Sequence, residues 1–151
     1  MTYLLQFDGI MNPPGPCGAA YVLYHQTILE DGLKVRMELR RGYKYYGFGT
    51  SREAEYFGLL LGLDHINDLK INNIEIETDK ETVIEQVTER ISVKTSYLVP
   101  YVRKATQFLR NYESVEFRQI PKKENKLAYA LCHQALTTGL EFHRDEIGCL
   151  K

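Results

Sequence analysis

No apolar run in this chain approaches the ~20 residues that a bilayer-spanning helix needs, so no membrane span is expected. The first residues carry no basic segment and no cleavage site, which excludes a secretory signal of the usual form and sets the expectation of an intracellular protein. Cysteine is scarce: Cys17, Cys132 and Cys149 are an odd number without metal-ligand spacing. That pattern excludes a disulfide framework and a zinc finger, and favours free thiols in a reducing compartment. Charge of one sign is also missing. The formal net charge is −1, so no global positive field draws in polyanions, and any phosphate contact has to come from a local patch. Linkers, repeats and low-complexity segments are absent. What remains is an ordinary globular composition, 44% hydrophobic and 26% charged in 151 residues, enough for one domain with a full core.

The run Thr2 to Phe7 is apolar and ends abruptly at Asp8-Gly9. It reads as a buried strand that delivers a carboxylate to the end of a sheet, where open α/β sheets place their ligands. Ile10 to Gly18 holds three prolines and two glycines and reads as a loop. Ala19–Gln26 and Lys34–Tyr43 read as strands around an Asp31-Gly32 hairpin turn. In the second, Val35, Met37 and Leu39 alternate with Arg36, Glu38 and Arg40, which predicts one dry and one wet face. Thr50 or Ser51 supplies an N-cap for a helix to about Leu69, with Leu59, Leu63 and Ile66 following Glu55 at helical spacing. Glu55 therefore heads an apolar face. Ile74 to Asp79 reads as a strand that again ends at an acid. A helical crossover between two strands implies parallel pairing, so Asp8 and Asp79 should leave the sheet at one edge. Helices are expected at 80–88, 97–111 and 125–140, and a last strand at 114–120. The order is βββαβααβα, a five-stranded mixed sheet flanked by helices in three layers, with the domain over 1–142 and a tail over 143–151.

Four segments in this order resemble the ribonuclease H type 1 family across nearly the whole chain. They are Phe7-Asp8-Gly9 with Asn12 to Gly18, Thr50-Ser-Arg-Glu-Ala-Glu55, Glu77-Thr78-Asp79, and Phe117 to Ala128. The short connection from Asp79 to Tyr97 is similar to the compact branch that lacks a basic protrusion. The resemblance implies hydrolysis of the RNA strand of RNA/DNA hybrids by two Mg2+ or Mn2+ ions. Asp8 would bridge both ions, and Glu55 and Asp79 would each hold one. It also implies a fourth carboxylate after Ala128, where this chain has Tyr129. A phenol is a poor ligand for a hard cation at neutral pH. Cleavage is therefore expected to be slow, with Glu124, His133 or water in partial replacement, or the domain binds nucleic acid or protein without cutting.

Hybrid duplexes present 2′-hydroxyls in a wide shallow groove. By resemblance, Gly9, Asn12, Gly15, Thr50 and Ser51 line that groove or a phosphate. Lys122 and Lys123, with Lys126, form a basic cluster beside it, and Arg36, Arg40, Arg41, Arg103 and Lys104 are further phosphate candidates. A monomer is expected.

Overall fold

The computed structural model describes residues 2–89 and 91–146. Six strands form one sheet in the order β5-β4-β1-β2-β3-β6. They are β1 (Thr2–Met11), β2 (Pro16–Ile28), β3 (Lys34–Phe48), β4 (Asn73–Thr78), β5 (Ser114–Gln119) and β6 (Glu141–Asp145). The helices are α1 (Ser51–Ile66), α2 (Glu81–Val87), α3 (Val99–Leu109) and α4 (Lys126–Thr138). Strand β1 is central, antiparallel to β2 and parallel to β4. Its last parallel pair is Gln6 with Glu77, so Asp8 and Asp79 both lie two residues further on, at one edge as expected.

Alternation along the strands sorts the core into two layers. Leu5, Phe7, Tyr21, Leu23 and Ile76 pack under α1, whose Leu59, Leu63 and Ile66 are fully buried. Ala20, Val22 and Tyr43 pack under Leu131, Cys132 and Ala135 of α4. Helix α4 stops at Gly139, which is left-handed at φ 66°, a conformation that costs glycine little.

Three expectations are corrected. The proline-rich segment 10–18 is not all loop: β1 runs to Met11 and β2 starts at Pro16. Proline is tolerated at the first residue of a strand. Gly18 lies within β2, paired with Ile10, and glycine is needed there because a Cβ would sit 2.6 Å from the Cys132 carbonyl oxygen of α4. Second, Val35 and Met37 are each 44% exposed, so the outer half of β3 has no dry face. Fifteen strand residues extend about 50 Å, whereas the sixteen residues of α1 reach about 24 Å. The β2–β3 hairpin therefore outruns its cover. Third, the sheet has a sixth strand. Glu141–Asp145 pairs antiparallel with β3, and Phe142 stacks on Tyr43 at 5.5 Å. The expected boundary after residue 142 runs through this strand. The strand is too polar to be marked by alternation, and the rest of the expected tail, from 147, lies outside the described residues. Among the described residues, no helix is long and apolar enough to cross a membrane.

Candidate active site

The site starts with the seating of α1 on the end of β1. Thr50 Oγ1 accepts from the Glu53 amide at 3.1 Å, and Glu53 Oε1 accepts from the Thr50 amide at 3.0 Å. This reciprocal cap fixes the first turn and with it the direction of Glu55. The helix then lies directly on the strand backbone. A Cβ on Gly9 would be 1.8 Å from the Ala54 carbonyl oxygen, and one on Gly58 would be 2.2 Å from that of Asp8. Glycine at both positions lets Glu55 approach Asp8.

Asp8 is 1% exposed and accepts the Gly9 amide at 2.8 Å. Burial pushes its carboxyl up to about 6, with the Asp79 charge adding, against Lys80 and the Gly9 amide. Burial also raises Glu55, opposed by Arg52, whose guanidinium lies 2.6 Å from it, and by Lys80, while Asp8 adds to the rise. Lys80 stands among the acids, its ammonium 3.6 Å from Asp8 and 3.4 Å from Asp79. Burial would lower Lys80, but the charges of Asp8, Asp79 and Glu55 outweigh it and the net shift is upward.

Asn125, fully buried at the head of α4, donates at 2.9 Å both to the Phe7 carbonyl and to Asp79 Oδ1. It thereby clamps Asp79 beside β1. Its own Oδ1 is buried without a protein partner, an orphaned acceptor of the kind that calls for an occupant.

A cavity of about 520 Å³ meets this cluster at Glu55 and Lys80, while Asp8, Asp79 and Asn125 lie outside its lining. Gly9, Asn12, Ser51, Glu55, Lys122 and Tyr129 line it, as do Lys80 and His133. Tyr129 of α4 lines this cavity together with Glu55. Its ring is capped by Lys122 Nζ at 4.6 Å and met edge-on by His133, also at 4.6 Å. Gly15 and Thr50 are outside the lining; the Gly15 carbonyl accepts the Gly49 amide at 2.8 Å, and Thr50 is exposed. Lys123 and Glu124 are exposed on the turn Lys122–Glu124, outside the lining.

Several basic candidates are engaged elsewhere. Arg36 lies 3.5 Å from Glu77, Arg40 pairs with Asp68 and Asp145, and Arg41 forks onto Glu38. Arg103 and Lys104 belong to α3, away from this cavity. Sequence reasoning missed the parts played by Lys80 and Asn125. Lys80 directly follows a strand-end acid, but nothing in the sequence separates a half-buried lysine there from a solvated one. Asn125 stood in a quoted motif, but its role depends on a contact to Phe7, 118 positions away.

Comparison with known proteins gives a consistent picture. A family model described as reverse transcriptase-like matches residues 41–135. A bifunctional protein of Mycobacterium tuberculosis is 26% identical over 140 residues, covering 90% of this chain and 36% of its own length. A ribonuclease HI of Halobacterium salinarum is 28% identical over 131 residues, covering 86% and 62%. The chain therefore spans about a third to two thirds of the curated relatives it matches. Among solved structures, RNase H1 of that halophile superposes with a TM-score of 0.76 at 26% identity, covering 91% of this chain and 99% of that one. The N-terminal RNase H domain of the M. tuberculosis protein gives 0.79 at 25% identity, covering 91% and 94%.

Proposed function

Since the chain belongs to the reverse transcriptase-like family and has the ribonuclease H type 1 fold, we propose that it is a metal-dependent endoribonuclease cutting the RNA strand of RNA/DNA hybrids. The observation that supports this reading is a chain of neighbouring acids around one ammonium: Glu55 feels the charge of Asp8, Asp8 that of Asp79, and Lys80 that of all three. Buried acids repel and resist ionising unless a cation meets them. The donor set suits magnesium or manganese, since the three acids offer oxygens only, and Asn125, whose Nδ2 holds Asp79, carries a buried Oδ1 without a protein partner. Asp8, Glu55 and Asp79 would hold the ions, and when bound these supply an activated water and relieve charge on the leaving oxygen.

The chain's own residues do the rest. Asn125 fixes the Asp79 carboxylate, and Gly9 fixes that of Asp8. Ser51 and Asn12 line the cavity where a sugar edge would lie, and Lys122 offers a phosphate contact at its rim. Gly15 and Thr50 lie outside that lining, and Lys123 reaches out from the same turn as Lys122. The protein is read as acting in a single copy.

Two features make this a slow or manganese-favouring enzyme. Tyr129 contributes no carboxylate, and Lys80 already neutralises part of the acid cluster. The test is cleavage of a labelled hybrid in magnesium and in manganese. Tyr129→Asp is expected to raise the magnesium rate by about tenfold or more, and Asp8→Asn to abolish cutting. Brisk wild-type cleavage unmoved by Tyr129→Asp would refute the placement of the fourth ligand. Cleavage surviving Asp8→Asn would refute the trio. Hybrid bound in calcium but cut in neither magnesium nor manganese would instead identify a non-cutting binding domain.

A further inference from the structure

A second polar cluster lies at the other end of α1, ten residues beyond Glu55, or about 15 Å along the helix axis. His65, in the last turn of α1, stacks on His143 of β6 with ring centroids 3.7 Å apart and planes at 15°. Glu141, two residues before His143 on the same strand face, places Oε2 3.1 Å from His143 Nε2. One ligand atom from each of the three side chains lies within 4.8 Å of the others.

The outer contacts orient these groups. His65 Nδ1 is 3.0 Å from the Leu61 carbonyl, which can only accept, so Nδ1 carries the proton and Nε2 keeps its lone pair. His143 Nε2 donates to the Glu141 carboxylate and its Nδ1 takes the Tyr21 hydroxyl at 3.1 Å; an ion at Nε2 would displace that proton, with the Tyr21 oxygen placed to accept from Nδ1 in the other tautomer. Imidazoles anchored through Nδ1 by a carbonyl or hydroxyl are the usual outer shell of a metal-binding histidine. The neighbouring cavity, about 590 Å³, has His65 and Glu141 in its wall and gives an entry path.

We propose that His65, Glu141 and His143 form a binding site for a zinc-class divalent ion, which fastens the edge strand β6 to the end of α1. Two imidazoles and one carboxylate match the borderline ligand preference of Zn2+ and Co2+, not that of Mg2+. Zn–N bonds near 2.0–2.1 Å place tetrahedral ligands about 3.3 Å apart. The ligand atoms must therefore close in by roughly an ångström, and because imidazole lone pairs lie in the ring plane, one of the two stacked rings must also turn out of the stack about χ2, a soft torsion, to aim at a shared ion. Three protein ligands leave a fourth position for water from the cavity. The ion would tie together two elements that share little apolar surface there, so its effect is on the anchoring of β6.

The test is titration of the metal-free protein with Co2+, read by the visible absorption of a tetrahedral site, followed by displacement with Zn2+. One equivalent is expected to bind at micromolar Co2+. His65→Gln and the exposed Glu141→Gln should each weaken binding by at least about tenfold and lose the bands. Asp8→Asn, in the acid cluster, should leave them intact. Zinc should raise the melting temperature of the wild type in a concentration-dependent way but not that of His65→Gln. Circular dichroism and the metal-free melting temperature establish that each variant is folded. Bands that survive His65→Gln or vanish with Asp8→Asn would overturn the proposal, as would no uptake by the wild type. Hybrid cleavage is no part of the readout, so this outcome is separate from that of the nuclease reading.

Discussion

Asp8 is a charge that the fold strains to keep. Its carboxyl is raised from 3.8 to about 6, mainly by burial. A folded-state value above the unfolded one means that its contribution favours folding below pH ~4 and is lost as pH rises through about 6. The metal-free protein is therefore penalised at neutral pH. Asp8→Asn should raise metal-free stability at pH 7.5 by on the order of 2 kcal/mol, and the gain should shrink as the pH falls towards 4. Urea unfolding in chelator at several pH values checks this, and a variant less stable than wild type at pH 7.5 would contradict it. Lys80 acts in the opposite sense, since its ammonium occupies ground that a cation would take. Lys80→Gln is expected to tighten manganese binding by about tenfold, measured by calorimetry. Weaker binding would mean that Lys80 organises the acids for the metal instead of competing with it. The acids themselves were legible in the sequence because each closes an apolar run or heads an apolar helix face. Lys80 was not read as part of the site, since a surface lysine and a half-buried one look alike until the packing around them is known.

Helix α1 carries the site by its seating. Its cap is local, Thr50 with Glu53, and spacing narrowed it to Thr50 or Ser51. Gly58 and Gly62, one turn apart, also point to close approach of the helix to the sheet, but the matching part of Gly9 on β1 was not readable, since it could equally have been a turn glycine. The actual constraint on Gly9 and Gly58 comes from Ala54 and Asp8 lying across the interface. Thr50→Ala should cost about 1 kcal/mol and leave cleavage only modestly reduced, because the glycine contacts still seat the helix. Gly58→Ala should cost more, about 1–3 kcal/mol, and weaken metal binding in the folded fraction by displacing Glu55. Thermal melts and calorimetry on the two variants separate a cap from a seat, and a Gly58→Ala protein with unchanged metal affinity would remove the seat from the account. Strand β6 shows the other limit of pattern reading. Its sequence Glu141-Phe-His-Arg-Asp145 has one apolar residue in five, and only the neighbouring edge of β3 makes it a strand.

At the scale of the whole molecule, the near-neutral charge conceals a sheet surface already laced with ion pairs. Arg118 meets Glu75, Glu77 and Glu116, Arg36 meets Glu77, Lys44 meets Glu141, and Arg40 meets Asp68 and Asp145. Glu77 is 2% exposed and also takes the Gln6 amide at 2.9 Å. It is a structural charge that holds Arg36 and Arg118 to the sheet. Such cations neutralise their partners and have little left for a phosphate backbone. Near the proposed hybrid path, Lys122 at the cavity rim and Lys123 beside it remain available. Few phosphates should therefore be neutralised on binding, and the slope of log affinity against log salt should be shallow, about −2 to −3. Lys122→Ala should flatten it by about one, whereas Arg36→Ala should leave it unchanged while lowering stability, because Glu77 then stays buried with one partner fewer. Hybrid affinities in calcium across a salt series measure both effects. A steep slope, or one that Arg36→Ala flattens, would show that the ion-paired face of the sheet opens to the substrate.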